Sequence, residues 1–326
     1  MSVRLPAEWE PQQSVWFVWP RDPQTWPGEH LERARAAYRQ AIEAVAAHQR
    51  VDLIVHPELE VPVGLPAAVR VHRVAHQDSW IRDYGPLTVE AGGTPVGLKF
   101  RFDAWGGKYD SLLADDGVAA RLDWPAPLAP VDAVLEGGAV ETDGRGTFLA
   151  TESVARGRGQ SVAEHEAILR DHLGARKVIW LGDGIQGDDT DGHIDTITRF
   201  VAPGKVVTAV APDGHPDHDA LADNLERLRG ATDADGHPLE VLELPCPEPL
   251  STEAGDPLPA GHANFLVTDR VVLVPTYGGA SDQAAMDLLG SCFPDRRVVG
   301  IDHRDLIWGF GGIHCLSMQV ARPPAG

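Results

Sequence analysis

Cysteine is scarce: 326 residues contain only three, Cys246, Cys292 and Cys315, an odd number with no C-x-x-C pair. That usage excludes a disulfide framework and a thiolate zinc site, so each sulfur is read alone. Basic residues are also in short supply, 28 Lys and Arg against 48 Asp and Glu, for a formal net charge of −20. Such a surface repels a polyanionic backbone and draws cations, which argues against a nucleic-acid partner. Long apolar runs are missing too: "VVLVP" at 271–275 is far too short to span a bilayer, so no membrane partner is expected. The opening "MSVRLPAEWEPQQSVWFVWP" has no basic segment leading into a sustained apolar stretch and no small-residue cleavage pattern. The expectation is a cytoplasmic chain without a signal or transit sequence.

What is present suffices for a substantial core, with 43% hydrophobic residues and 9 Trp. Helical spacing is clearest over 28–49, where Leu31, Ala34, Tyr38, Ile42 and Val45 recur three and four apart; further helices are predicted at 162–173, 217–230 and 281–291. Between them lie four predicted hairpins, "GPLTVEAGGTPVGLKF", "GGAVETDGRGTFLAT", "HIDTITRFVAPGKVVTAV" and "HANFLVTDRVVLVP", each two β-rich runs around a turn. Just before or at each opening strand stands a polar, chemically able segment: "WIRDYG", "LEGGAV", "DGHIDT", "GHANFL" and finally "GGIHCL". With Asp83, Glu136, His193, His262 and Cys315 as markers, the intervals are 53, 57, 69 and 53 residues. This is a fivefold quasi-repeat, suited to a propeller-like closure in which five strand-rich modules aim their leading residues at one axis.

The segment "GDDTDGHIDT" (187–196) carries Asp188, Asp189, Asp191 and Asp195 around His193. Calcium would use such carboxylates, but the alternation and final glutamate of an EF-hand are absent; zinc would want a second nitrogen or sulfur at a regular interval. No metal is expected. Read as an extended strand, "HID" places His193 and Asp195 on one side and Ile194 on the other. Cys315 follows a glycine pair in "FGGIHCL", which can expose a reactive sulfur where a strand begins, whereas Cys246 between prolines and Cys292 behind a helix read as structural. Trp80 stands three residues from Asp83 and offers an apolar wall for the alkyl part of a cation. Glu136 precedes two glycines, where a backbone can pass close to a ligand.

Together, "LPAEWEPQQSVWFVWP", "DSWIRDYGP", "LEGGAVETDG", "GDDTDGHIDT", "ANFLVTD" and "GGIHCLSMQ" resemble the agmatine deiminase and bacterial peptidyl-arginine deiminase family of the guanidine-modifying, or pentein, superfamily, over nearly the whole chain. The resemblance implies an α/β fold, a five-bladed pentein propeller with pseudo-fivefold symmetry around a central active site, and one catalytic domain spanning 1–326. It implies a nucleophile at Cys315, a general acid/base at His193, an active-site glutamate at Glu136 orienting His193, and carboxylates for the substrate at Asp83 and Asp195. Trp80, Asn264 and Asp189 join the substrate-binding set. The activity implied is hydrolysis of a small cationic guanidine through a covalent thiouronium on Cys315, without cofactor or metal, by a homodimer serving polyamine metabolism. Agmatine is the first expectation. Two departures bear on the substrate: Asp191 stands where agmatine deiminases commonly have Asn, and Tyr84 where they commonly have Thr. Peptidyl-arginine is the runner-up; free arginine would call on Arg101 or Arg199 for its carboxylate; a non-catalytic guanidine-binding protein is the contrasting class.

Overall fold

The computed structural model describes residues 3–322. Five mixed sheets run in chain order, and one local recipe repeats. Leu87–Ala91 and Thr94–Arg101 pair antiparallel, then Leu128–Val134 adds in parallel, with Val3–Arg4 on the far edge. The second sheet joins Glu141–Thr142, Thr147–Thr151 and Lys177–Leu181 in the same order. The third joins Thr198–Ala202, Lys205–Val210 and Glu240–Pro245; the fourth joins Leu266–Val267, Val271–Thr276 and Arg297–Asp302. The fifth combines distant segments: Ser317–Ala321 lies antiparallel to Gln12–Val18, which continues in parallel to Val51–Val55 and Val69–Arg73. A two-stranded ribbon, Leu250–Ser251 with Pro257–Leu258, completes the sheets among the described residues.

The recipe follows from local chemistry. Two-residue or similarly short turns join antiparallel partners, whereas a parallel neighbour demands a crossover, usually a helix. His30–Ala46, His218–Arg229 and Ser281–Cys292 supply crossovers at the expected places, and Val162–Ile168 runs on as a π-turn through Leu173. Of the apolar residues expected along the first helix, Ala34, Tyr38, Ile42 and Val45 are buried, while Leu31 is only partly covered. Tyr38 does more than fill space: its hydroxyl accepts the Val18 N–H at 3.0 Å and donates to the Leu316 carbonyl at 2.8 Å. It thereby ties the strand Gln12–Val18 to the residue following Cys315.

In each sheet a short non-strand segment leads into the opening strand. Ile81–Tyr84 is one helical turn, Gly137–Ala139 and Ile194–Thr196 are 3-10 turns, and residues 313–316 form a turn before Ser317. The "HID" strand expected from sequence is therefore absent. His193 caps the turn Ile194–Thr196, and the strand begins only at Thr198. A 3-10 turn folds neighbouring side chains more tightly than an extended strand, and His193, Ile194 and Asp195 are all buried.

Candidate active site

Four of the five lead-in segments bring titratable side chains to one place. His193 and Asp195 are fully buried, and His193 Nδ1 lies 3.7 Å from Asp83 Oδ1. Gly138 makes this approach possible: a Cβ there would fall 2.5 Å from His193 Nδ1 and 2.9 Å from Asp83 Oδ1. Its backbone N–H instead donates to Asp83 Oδ1 at 3.1 Å, and Trp105 Nε1 donates to Asp83 Oδ2 at 3.0 Å. Cys315 Sγ is 3.6 Å from Asp195 Oδ2 and receives the amide of Asn264 at 3.1 Å.

The fourth segment contributes Asn264 rather than the His262 marker. His262 turns away and contacts the Pro275 carbonyl and Ser281. A second correction concerns Glu136. Its Oε1 is held by Arg158 Nε at 2.5 Å, and no hydrogen bond joins it to His193 among the described residues. Arg158 also reaches Asp191 Oδ2 at 2.7 Å and the Thr190 carbonyl at 3.0 Å, so one guanidinium fixes both Glu136 and the aspartate loop. Cys315, expected to be exposed, is only 5% accessible, at the floor of a cavity.

The acidic segment separates into individual roles. Asp188 organises the turn, accepting from Thr190 N at 2.8 Å and His193 N at 3.1 Å. Asp191 has φ of 70°, the left-handed region that costs a non-glycine residue about 1 kcal/mol or more, and is clamped there by Arg158 and by Lys108 at 2.6 Å. Asp189 faces the cavity, where the Tyr109 hydroxyl donates to it.

Burial sets the protonation states, with charges as correctives. His193 is pushed down to about 3 by burial, against the opposing pull of Asp195, so the ring is neutral at pH 7. The Cys315 thiol is raised well above its ordinary value by burial and then by Asp195 and Asp83. Asp83 is raised by burial, Asp195 and Glu136, whereas burial of Asp195 is outweighed by the His314 hydrogen bond and charge, which hold it below the usual range. Two neighbouring carboxyls with diverging proton affinities are a mark of acid/base sites. Both ring nitrogens of His193, Oδ1 of Asp195 and Oε2 of Glu136 are buried without a protein hydrogen-bond partner. Such atoms are rare, and the two carboxylate oxygens and the bare ring nitrogen among them are acceptors that suit a ligand rich in N–H donors.

Above Cys315 the cavity holds about 290 Å³ and is lined by Trp80, Trp105 and Phe310 together with Asp22, Asp78, Asp83 and Asp189. No lysine or arginine among the described residues lines it. Arg199, one of the two candidates for a substrate carboxylate, is consumed in the interior by Glu141, Glu8 and the Phe265 carbonyl. Arg101, the other, is exposed and pairs with Asp132. Trp105 and Phe310 both have positive φ, at 57° and 64°, so the wall of the cavity carries stored backbone strain.

A family model described as Porphyromonas-type peptidyl-arginine deiminase matches residues 4–321. The chain belongs to this family. The agmatine deiminase of Enterococcus faecalis superposes with a TM-score of 0.90 at 32% identity, covering 99% of this chain and 96% of that one. A Cys-to-Ser agmatine deiminase of C. jejuni with substrate bound superposes with a TM-score of 0.88 at 27% identity, covering 98% and 97%. A dimethylarginine dimethylaminohydrolase, at 15% identity and a TM-score of 0.53 over 94% and 99%, shares the fold alone. The fold is thus the α/β pentein fold. No helix among the described residues is long and apolar enough to cross a membrane.

Sequence reasoning missed Trp105, Asp22, Asp78 and Arg158. The first lies in "FDAWGG", whose paired glycines could have signalled a tight, ligand-facing turn; the other three are ordinary charged residues with no local signature.

Proposed function

We propose that this chain is a deiminase of the agmatine type, hydrolysing agmatine to N-carbamoylputrescine and ammonia. The observation that carries the reading is the cavity lining. Carboxylates stand at its floor, where Asp83 adjoins Cys315, and also elsewhere on its wall at Asp22, Asp78 and Asp189, with Trp80, Trp105 and Phe310 as apolar lining. A dication with an alkyl spacer matches that lining; an α-carboxylate finds no cation there. Relatives named as agmatine deiminases support the same choice. The five sheets, each led by a site segment, support a single catalytic domain closed as a five-bladed propeller around this cavity.

The planar guanidinium would be held by Asp83 and Asp195 through charge-assisted bonds, with Oε2 of Glu136 as a further acceptor. Its positive charge opposes the effect that raises the Cys315 thiol, so substrate itself favours the thiolate. The thiol proton passes to neutral His193 and sulfur attacks the central carbon. His193 then gives that proton to one departing NH2 group; the C–N bond breaks and ammonia leaves. A thiouronium cation remains on Cys315. Water adds next, His193 taking one of its protons; the C–S bond breaks, the ureido product leaves, and the sulfur recovers its proton. The surplus proton is released and converts ammonia to ammonium.

The test is ureido-product formation on agmatine, free arginine and a blocked arginyl peptide, with Cys315→Ala as control. Turnover of agmatine alone, lost in the variant, is the expected result. Turnover confined to the peptide would transfer the assignment to peptidyl-arginine, and silence on all three would remove it.

A further inference from the structure

Glu8 takes no part in the chemistry above, yet it is 6% accessible and sits within one residue's reach of it. It belongs to the segment preceding the strand Gln12–Val18, far in sequence from every lead-in segment except through folding. Its Oε2 meets His314 Nε2 at 2.6 Å; the other ring nitrogen, Nδ1, meets Asp195 Oδ2 at 2.7 Å. Glu8 is anchored in turn by Arg199 at 2.8 Å, by Arg82 at 3.8 Å, and by the Val267 N–H on Oε1 at 2.7 Å.

A neutral imidazole has one donor and one acceptor nitrogen, and an ionised carboxylate only accepts. Two guanidinium groups and a backbone donor oblige Glu8 to remain the acceptor. Both contacts are then satisfied only when each nitrogen of His314 carries a proton. The outcome is a chain of alternating charge, Arg199 and Arg82 to Glu8 to His314 to Asp195, that ends on an oxygen. With Oδ2 of Asp195 taken by His314, Oδ1 is the atom left without a partner. We propose that Glu8 is a positioning residue for guanidine hydrolysis, acting through His314 to fix Asp195 with Oδ1 turned to the substrate. This rests on the deiminase reading given above.

The charged and titratable groups around the relay are few. Asp195 faces His314, Cys315 and His193, with Asp83 and Asp188 nearby; Glu8 faces Arg199, Arg82 and His314, with Glu141 beyond Arg199. Burial alone would raise the Glu8 carboxyl, but Arg199, His314 and Arg82 hold it far below its ordinary range. Replacing Glu8 by glutamine removes one negative charge and leaves that list otherwise intact. The relay then ends on a neutral amide, Asp195 is held less firmly in its ionised form and binds a proton at higher pH, and the acid limb of kcat/KM moves upward.

Two measurements test this. In kinetics on agmatine, Glu8→Gln is expected to lower kcat/KM on the order of 10- to 100-fold, the range typical of outer partners of site ligands, with the acid limb displaced to higher pH. His314→Asn, whose amide can still donate where Nδ1 did, should retain at least about tenfold more kcat/KM than His314→Gln, which can reach only Glu8. An unmoved acid limb, or equal loss in the two His314 variants, would overturn the proposal. The second measurement needs neither turnover nor a foldable variant: long-range 1H–15N spectra of the ring nitrogens in the intact, 15N-histidine-labelled protein at pH 7. Both nitrogens of His314 protonated is the expected pattern, and one bare nitrogen overturns it. A protein inactive on every guanidine but showing that pattern would refute the deiminase reading and leave the relay standing.

Discussion

The side-chain amide of Asn264 spans the nucleophile's turn: its nitrogen donates to Cys315 Sγ at 3.1 Å while its oxygen receives the N–H groups of His314 and Cys315 at 3.0 and 3.3 Å. Gly312 leaves room for it, since a Cβ there would lie 2.5 Å from that oxygen. Hydrogen bonds to a charged group contribute about 1.5–3 kcal/mol, so Asn264→Ala is expected to lower kcat roughly 10- to 100-fold. The loss should fall on kcat more than KM, because the bond strengthens when sulfur becomes a thiolate. Steady-state kinetics on agmatine check this.

Reactivity of Cys315 should depend on occupancy. Because burial and the two aspartates raise its thiol, the resting site is expected to show no selective alkylation of Cys315 over Cys246 and Cys292 at pH 7. Binding an unreactive guanidinium should increase thiolate ultraviolet absorbance in the wild type and not in Cys315→Ala. Absorbance that stays flat on binding would contradict substrate-assisted ionisation.

Asp78 lines the cavity, receives Thr25 at 2.7 Å and is pushed up to about 7 by burial. Its folded proton affinity exceeds the unfolded one, so its favourable contribution is complete below about pH 4 and disappears as pH rises through 7. Asp78→Asn removes that penalty, worth on the order of 4 kcal/mol at most above pH 7. Denaturant melts should show the variant stabilised at pH 8 relative to wild type and not at pH 4, while KM for agmatine rises if Asp78 faces the ammonium end.

Arg158 pairs with Glu136 where both side chains are almost wholly buried, at 1% and 0% accessibility. Removing one partner of such a pair costs about 3–5 kcal/mol because the other is left charged in the interior. Arg158→Met should therefore lose stability of that order. Glu136→Gln should lose less stability, because the amide oxygen can still receive Arg158, yet should still lose activity. Chemical denaturation of the two variants ranks them.

Gly138→Ala should cut activity sharply with little change in folding. The added methyl would press on His193 Nδ1 and Asp83 Oδ1, and displacement of about 1 Å at reacting groups can cost on the order of 100-fold. A melting temperature within a few degrees of wild type, with kcat/KM reduced by that factor, is the expected pair of results.

What the sequence disclosed is what local chemistry encodes. The helix over His30–Ala46 was readable from apolar spacing, and the hairpins from paired β-rich runs around glycine turns. Asp83, His193 and Cys315 were legible because each precedes an opening strand at a recurring interval, and Asp195 because it stands two residues after His193; the four do meet. The partners of these residues were not legible. Glu136 was expected to orient His193, but Arg158 holds it from a different segment; the fourth marker is Asn264 and not His262 because the lead-in turn there rotates His262 toward Ser281. Arg199 looked available for a substrate carboxylate until the fold placed Glu8 and Glu141 around it. Such pairings join residues tens to hundreds of positions apart, which no window on a single sequence samples.

The antiparallel pairing of Ser317–Ala321 with Gln12–Val18 carries a consequence for how the protein comes into being. A ribosome finishes Asp83, Glu136, His193 and Asp195 while the strand Gln12–Val18 still lacks its partner on one side. The nucleophile arrives last, in the very turn whose following strand fills that vacancy. Translation thus supplies the sulfur after the other four groups, and the turn that carries it takes its place only once the segments Gln12–Val18 and Ser317–Ala321 meet.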